Sequence, residues 1–280
     1  IFASIESYMD VILSFAVYMF CMHIDGGDED ENDIKLFMGS SQTSRFYKTF
    51  NTVLDEMDAM GIDMGAPRFN LSTHSLRKFA DTYACNQPAG PSTESVKNRA
   101  GHSNGKVQDC YHKADEYADC FIGRILSLEA MTSSLFATLP PHFSNEGLEK
   151  IREIGWGNII NGYDKFEDNI QRILPKLLAS LIYHYHNGMM DYFPRDHPVF
   201  TQRVFADNLH SILYPYILRG INDCPHTGMR ATGVSAHVVT LVRIDKLEER
   251  IHEQQQTMLQ NHVSTLEEMD ALPNKVGDVV

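Results

Sequence analysis

Apolar residues recur at helical spacing along most of the chain. Across residues 5–22 they are nearly continuous (Ile5, Tyr8, Met9, Val11, Ile12, Phe15, Ala16, Met19), which predicts a helix buried on most of its surface. Residues 40–60 place Phe46, Phe50, Val53, Leu54, Met57 and Met60 three or four apart, the stripe of an amphipathic helix capped by Ser40, Ser41 or Thr43. Gly61 and the turn Gly65-Ala66-Pro67 end it. A helix from Ser72 or Thr73 carries Leu76, Phe79, Ala80 and Tyr83 on one face, and a loop over residues 86–91 follows. Ser92 or Thr93 caps a short helix that holds Val96 and Ala100 and stops at Gly101. Ser103-Asn104-Gly105 is a turn before a helix bearing Val107 and Tyr111, and residues 114–131 form another with Tyr117, Phe121, Ile122, Ile125 and Leu126.

Leu139-Pro140-Pro141 marks a boundary. Beyond it residues 144–215 read as mostly helical, most clearly over residues 166–185, where Pro175 predicts a kink or break. Residues 220–233 form a loop; its Thr227-Gly228-Met229-Arg230-Ala231-Thr232-Gly233 has neither dinucleotide nor Walker spacing. A final helix over residues 236–269 sets Ile244, Leu247, Ile251 and Met258 on a heptad seam with Gln254 between them. Such a seam suits a short coiled coil that joins two copies, or packing onto its own domain. The fold class is therefore mainly α, with no internal repeat. The expected organisation is a first domain over 1–139, a helical domain over 140–235, and a long C-terminal helix and tail over 236–280.

Charge changes this picture more than composition does. With 280 residues, 43% of them hydrophobic, the chain can bury one large core or two modest ones. Its net charge of −13 argues against a nucleic-acid partner, because phosphate binding needs a positive field. Residues 1–67 carry 3 basic and 12 acidic groups, residues 68–124 carry 8 and 6, and residues 125–280 carry 13 and 19. The middle interval is a basic island in an acidic chain. An acidic loop over residues 25–33 lacks the register of an EF-hand and reads as a solvated linker. Five widely spaced cysteines without a CxxC pair fit a reducing, intracellular compartment. The longest apolar run, residues 11–22, is about half the ~20 residues that span a bilayer, so no membrane partner is expected. The chain opens at Ile1 inside an apolar helical pattern, which predicts that a segment lies upstream.

The basic island holds the sharpest chemical proposal. His74 and Arg77 stand three apart in Thr73-His74-Ser75-Leu76-Arg77-Lys78, His102 follows Gly101, and Tyr111 comes nine residues after His102. In this order and spacing the stretch resembles the C-terminal half of the tyrosine recombinase (phage-integrase-like) catalytic domain, closest to recombinase-like proteins of eukaryotic mobile elements. The resemblance covers about residues 71–124, and a weaker similarity runs through Phe136-Ala137-Thr138-Leu139-Pro140-Pro141 and the late Thr-Gly-Met loop. It implies His74, Arg77, His102 and Tyr111 as catalytic residues, double-stranded DNA as partner, a nuclear location, and neither cofactor nor metal. A phosphodiester repels nucleophiles and its transition state spreads charge over oxygens, so a planar guanidinium is the preferred clamp. Histidines can donate to a phosphate oxygen or exchange a proton near neutral pH. A tyrosine, with an ordinary pKa of ~10, needs neighbours to activate it.

Bland roles compete at each position: a capping or surface histidine, a residue after a helix-ending glycine, a core tyrosine. A zinc site from His102, Cys110, His112 and Cys120 has no common ligand spacing, and His184 and His186 fall on different sides of one helix. The family also uses a further arginine upstream and a lysine on a β-hairpin. Residues 1–72 offer only Lys35, Arg45, Lys48 and Arg68, none in such a setting. The expectation is a recombinase-like DNA cutting and rejoining protein, truncated or impaired, with little strand exchange. The alternative is a non-catalytic DNA-binding or interaction protein that acts through its C-terminal helix.

Overall fold

The computed structural model describes residues 7–22, 40–102, 116–220 and 232–270. It is mainly helical. Helix α1 spans Val11–Met22, α2 Gln42–Ala59, α3 Thr73–Cys85, α4 Thr93–Arg99 and α5 Glu116–Leu126. Then come α6 (Asn145–Ile154), α7 (Trp156–Ile159), α8 (Asp168–His186), α9 (Arg203–Ala206), α10 (Leu209–Leu213) and α11 (Ala236–Asp270). Two short strands, β1 (His142–Phe143) and β2 (Ile217–Leu218), pair antiparallel, with His142 opposite Leu218 and Phe143 opposite Ile217.

Buried side chains fall into two cores. The first joins α1 (Leu13, Ala16, Met19, Phe20) to α8 (Leu174, Leu177, Leu178, Leu181, Ile182), with Phe143, Ile151, Ile159 and Leu213 closing it. Helix α1 therefore belongs with the later helices rather than with α3 and α4. The second core gathers Ala84 of α3, Val96 of α4, Phe121, Ile122 and Ile125 of α5, Phe136 and Ala137, and Val234, Val238 and Val242. The start of α11 thus completes the core beneath the basic island, over a hundred residues away in sequence. Gly233 makes this approach possible: its φ is +66°, and a Cβ there would sit 2.3 Å from the Phe121 backbone nitrogen.

Four expectations need adjustment. The helix expected over residues 5–22 starts only at Val11, after a 3-10 turn over Ser7–Met9, because Asp10 Oδ1 caps it. At Pro175, where the sequence predicts a kink or break, α8 does not break. The helix expected over residues 114–131 stops at Leu126, and Leu128 takes a left-handed turn (φ 60°). Helix α2 has the predicted apolar stripe, yet only Leu54 is buried, while Phe46 and Val53 remain exposed. What holds α2 is polar: Arg68 donates through Nε to Asp55 Oδ1 at 2.7 Å and through Nη2 to Asn51 Oδ1 at 2.9 Å. No helix among the described residues is long and apolar enough to cross a membrane.

Candidate functional site

The site candidates sit where two helix ends meet. At the start of α3, the Ser72 amide donates to Ser75 Oγ at 3.0 Å, which fixes the first turn. His74 lies in that turn, exposed, and Arg77 follows three residues later on a neighbouring point of the helix. Helix α4 begins with Ser92, whose Oγ accepts from the Ser95 amide at 3.1 Å. It ends as the sequence predicts. Gly101 takes φ +69°, its amide donates to Asn98 O at 3.1 Å, and the His102 amide reaches back to Lys97 O at 2.8 Å. These paired bonds form a Schellman motif, which presents His102 just past the helix end.

Arg77 ties the two helices together. Its Nη2 donates to the carbonyl of Ala100, a C-cap group with no donor within its own helix. One turn further along α3, Asp81 Oδ2 lies 3.9 Å from His102 Nδ1, a separation at which a protonated imidazole is attracted without a direct hydrogen bond. Arg77, Asp81 and His102 thus occupy one exposed edge, with His74 a turn nearer the α3 N-terminus. Lys78 and Lys97 are exposed beside them. Arg99 is committed elsewhere: its Nη1 donates to Asp119 Oδ1 at 2.5 Å and Asp119 O at 2.8 Å, which fastens α4 to α5. Tyr111, Cys110 and His112, with the turn and helix expected around residues 103–111, lie outside the described residues. So do the acidic loop over 25–33 and most of the Thr-Gly-Met loop.

Two arginines that composition makes available are also occupied. Arg68 is bound into α2 as above. Arg124, 1% exposed, donates through Nε to Thr232 O at 2.9 Å and through Nη1 to Phe136 O at 2.5 Å and Thr138 O at 3.1 Å. Burial pulls its pKa down to about 10, still far above neutrality. Nothing in the sequence marks this residue as buried, because an arginine in the last turn of a helix ordinarily reads as solvated. Among the described residues no hairpin stands between α2 and α3, and no group of three or more histidine, cysteine or acidic side chains is placed to hold a metal ion.

A second histidine cluster lies at the far end of α8. His186 Nε2 and His210 Nδ1 are 3.2 Å apart, and the His186 ring stacks on Tyr214 with centroids 4.1 Å apart. Burial lowers both histidines below the ordinary 6.5, and the neighbouring His186 charge lowers His210 further. The fold therefore favours the neutral rings. As pH falls through 6.5 the unfolded chain takes up protons first, so the stability present above that pH is lost on acidification. We expect the urea midpoint, read by Trp156 fluorescence, to fall between about pH 7.5 and 5.5, and to fall less in His210→Phe. An equal drop in the variant would refute the assignment.

No protein-family model, curated protein or solved structure matches the chain.

Proposed function

We propose that the chain acts on double-stranded DNA with tyrosine recombinase-type chemistry, and that the edge formed by α3 and the end of α4 is its phosphate site. The observation that carries this reading is the contact from Arg77 to Ala100 O, which holds the arginine of the HxxR pair beside the glycine-histidine turn. In this reading Arg77 keeps its remaining donors for a phosphate oxygen, and His74 and His102 donate to the phosphate or pass a proton. The Tyr111 oxygen attacks phosphorus, the 5′ oxygen of the next nucleotide leaves with a proton, and a 3′-phosphotyrosyl bond forms. That bond conserves the energy of the one broken, so reversal rejoins the strand without a nucleotide cofactor. A role on chromosomal DNA goes with the nuclear location that the resemblance implies.

One observation favours a second reading, a non-catalytic DNA-binding protein. Arg68 and Arg124 are both bound internally, so neither adds a second clamp to the site. A missing clamp typically costs a preorganised site ~3–4 kcal/mol of transition-state stabilisation.

The two readings separate on nicked suicide DNA, from which a cleaved strand cannot be rejoined. We expect the 280-residue protein to accumulate a slow covalent adduct, lost in Tyr111→Phe and reduced ~100-fold or more in Arg77→Ala. No adduct, with salt-dependent DNA binding retained, would establish the non-catalytic reading instead. No binding even at low ionic strength would remove both.

A further inference from the structure

The last helix leaves the body of the protein after Val242. From residue 243 to residue 267 every side chain of α11 is exposed, a rod about 37 Å long at ~1.5 Å per residue. Its apolar positions are ordered even so. Ile244, Ile251 and Met258 recur every seven residues, and Leu247 falls four before Ile251. They are 44%, 52%, 72% and 53% exposed respectively. Helices standing alone in water are marginal, and most helical stability in proteins comes from packing an apolar face.

We infer that α11 pairs with α11 of a second copy as a parallel, in-register two-stranded coiled coil centred on residues 244–258. Isoleucine at the first core position and leucine at the second is the combination that favours two parallel strands. The flanking charges give the orientation. Arg243 and Glu248 flank the seam on opposite sides, five residues apart, and in a parallel pair these positions face each other across the interface. Arg243 of each copy then meets Glu248 of the other, two attractive contacts by symmetry. An antiparallel pair would set each flank against its own kind, arginine toward arginine and glutamate toward glutamate. Gln254 on the seam costs stability but discourages other registers. Beyond it a one-residue skip brings Leu259 and Leu266, again seven apart, onto the continued seam.

A second copy fits this face better than a lipid or nucleic-acid surface does. Residues 243–267 carry three basic and five acidic groups, the wrong balance for an anionic partner. The geometry also has a consequence for the body of the protein. Val238 and Val242 anchor each α11 to the second core, so a parallel pair puts both phosphate-site edges at the same end of the rod. An antiparallel pair would separate them by its length. The pairing itself stands or falls independently of the strand-cutting reading.

The test is the mass of the full chain in solution by sedimentation equilibrium. We expect a dimer that becomes monomeric in Ile251→Lys and is unchanged in Glu249→Lys, which lies on the outer face. Arg243→Glu alone, which sets glutamate against glutamate, weakens the dimer about tenfold, and the double exchange Arg243→Glu with Glu248→Arg restores it. A monomeric wild-type chain, or a dimer that survives Ile251→Lys, overturns the pairing. Failure of the double exchange to restore the dimer overturns the parallel orientation.

Discussion

Replacing Asp10 with alanine is expected to remove about 4–5 kcal/mol of stability. The carboxylate does two things at once. Its Oδ1 accepts from the Ile12 amide at 2.7 Å and the Leu13 amide at 3.2 Å, which caps α1. Its Oδ2 lies 2.7 Å from His184 Nε2 in the last turn of α8, and both side chains are fully buried. Without the carboxylate, two amides at the α1 start and a buried imidazole lose their partner together. Among the described residues the other ring nitrogen, His184 Nδ1, has no hydrogen-bond partner, so Asp10 is the ring's hydrogen-bonded anchor there. Losing the cap costs about 1 kcal/mol and breaking a buried polar pair about 3–5 kcal/mol, with some overlap between them. Asp10→Asn keeps an acceptor for the amides and should lose about half as much.

Urea unfolding followed by Trp156 fluorescence checks this, because the indole packs against the first core and stacks on Tyr163 at 5.4 Å. A double variant, Asp10→Leu with His184→Leu, should recover much of the loss, since exchanging a buried pair for apolar groups is often neutral. A loss below about 1 kcal/mol in Asp10→Ala would mean that the pair contributes little.

Local signals in the sequence were sound guides, and long-range partners were not. The caps at Ser72 and Ser92, the stop at Gly101 and the extent of the final helix all follow from residues within a turn of each feature. Helix α1 was recognisable from its apolar run, but its partner α8 lies more than 150 residues away, and only three-dimensional packing joins them. Asp10 does leave a trace: an acid just before a nearly continuous apolar run is a capping signal, although the apolar residues on its other side, Ile5, Tyr8 and Met9, extend the helical pattern past it. The α2 stripe shows the opposite failure, since periodicity says that a face is apolar and nothing about what stands opposite. Within the candidate site, the order His74, Arg77, His102 was legible, and so was the turn that presents His102. That Arg77 would satisfy the Ala100 carbonyl was not, because it depends on the angle at which α3 and α4 meet over Ala84 and Val96.

Arg124→Ala is expected to cost about 3–4 kcal/mol, and the loss should reach the candidate site as well as the core. The guanidinium is the polar centre of the second core. It joins α5 to the carbonyls of Phe136 and Thr138 on one side and of Thr232 on the other. An alanine leaves all three acceptors short of a donor and opens a cavity beside Phe121 and Phe136, whose rings meet edge to face at 5.9 Å. Lysine retains the charge, but its single ammonium cannot span acceptors on two sides, so Arg124→Lys should lose about 2 kcal/mol. Far-UV circular dichroism in urea measures the loss, and Trp156 fluorescence on the same samples shows whether the two cores unfold together. Helix α5 also carries Asp119, the anchor for Arg99, and supplies the apolar floor under α3 and α4. Under the proposed function, loosening it should therefore weaken DNA binding at temperatures where Trp156 still reports an intact first core. Unchanged stability in Arg124→Ala would show that backbone contacts alone hold residues 232–234 against α5, the tight approach at Gly233 among them.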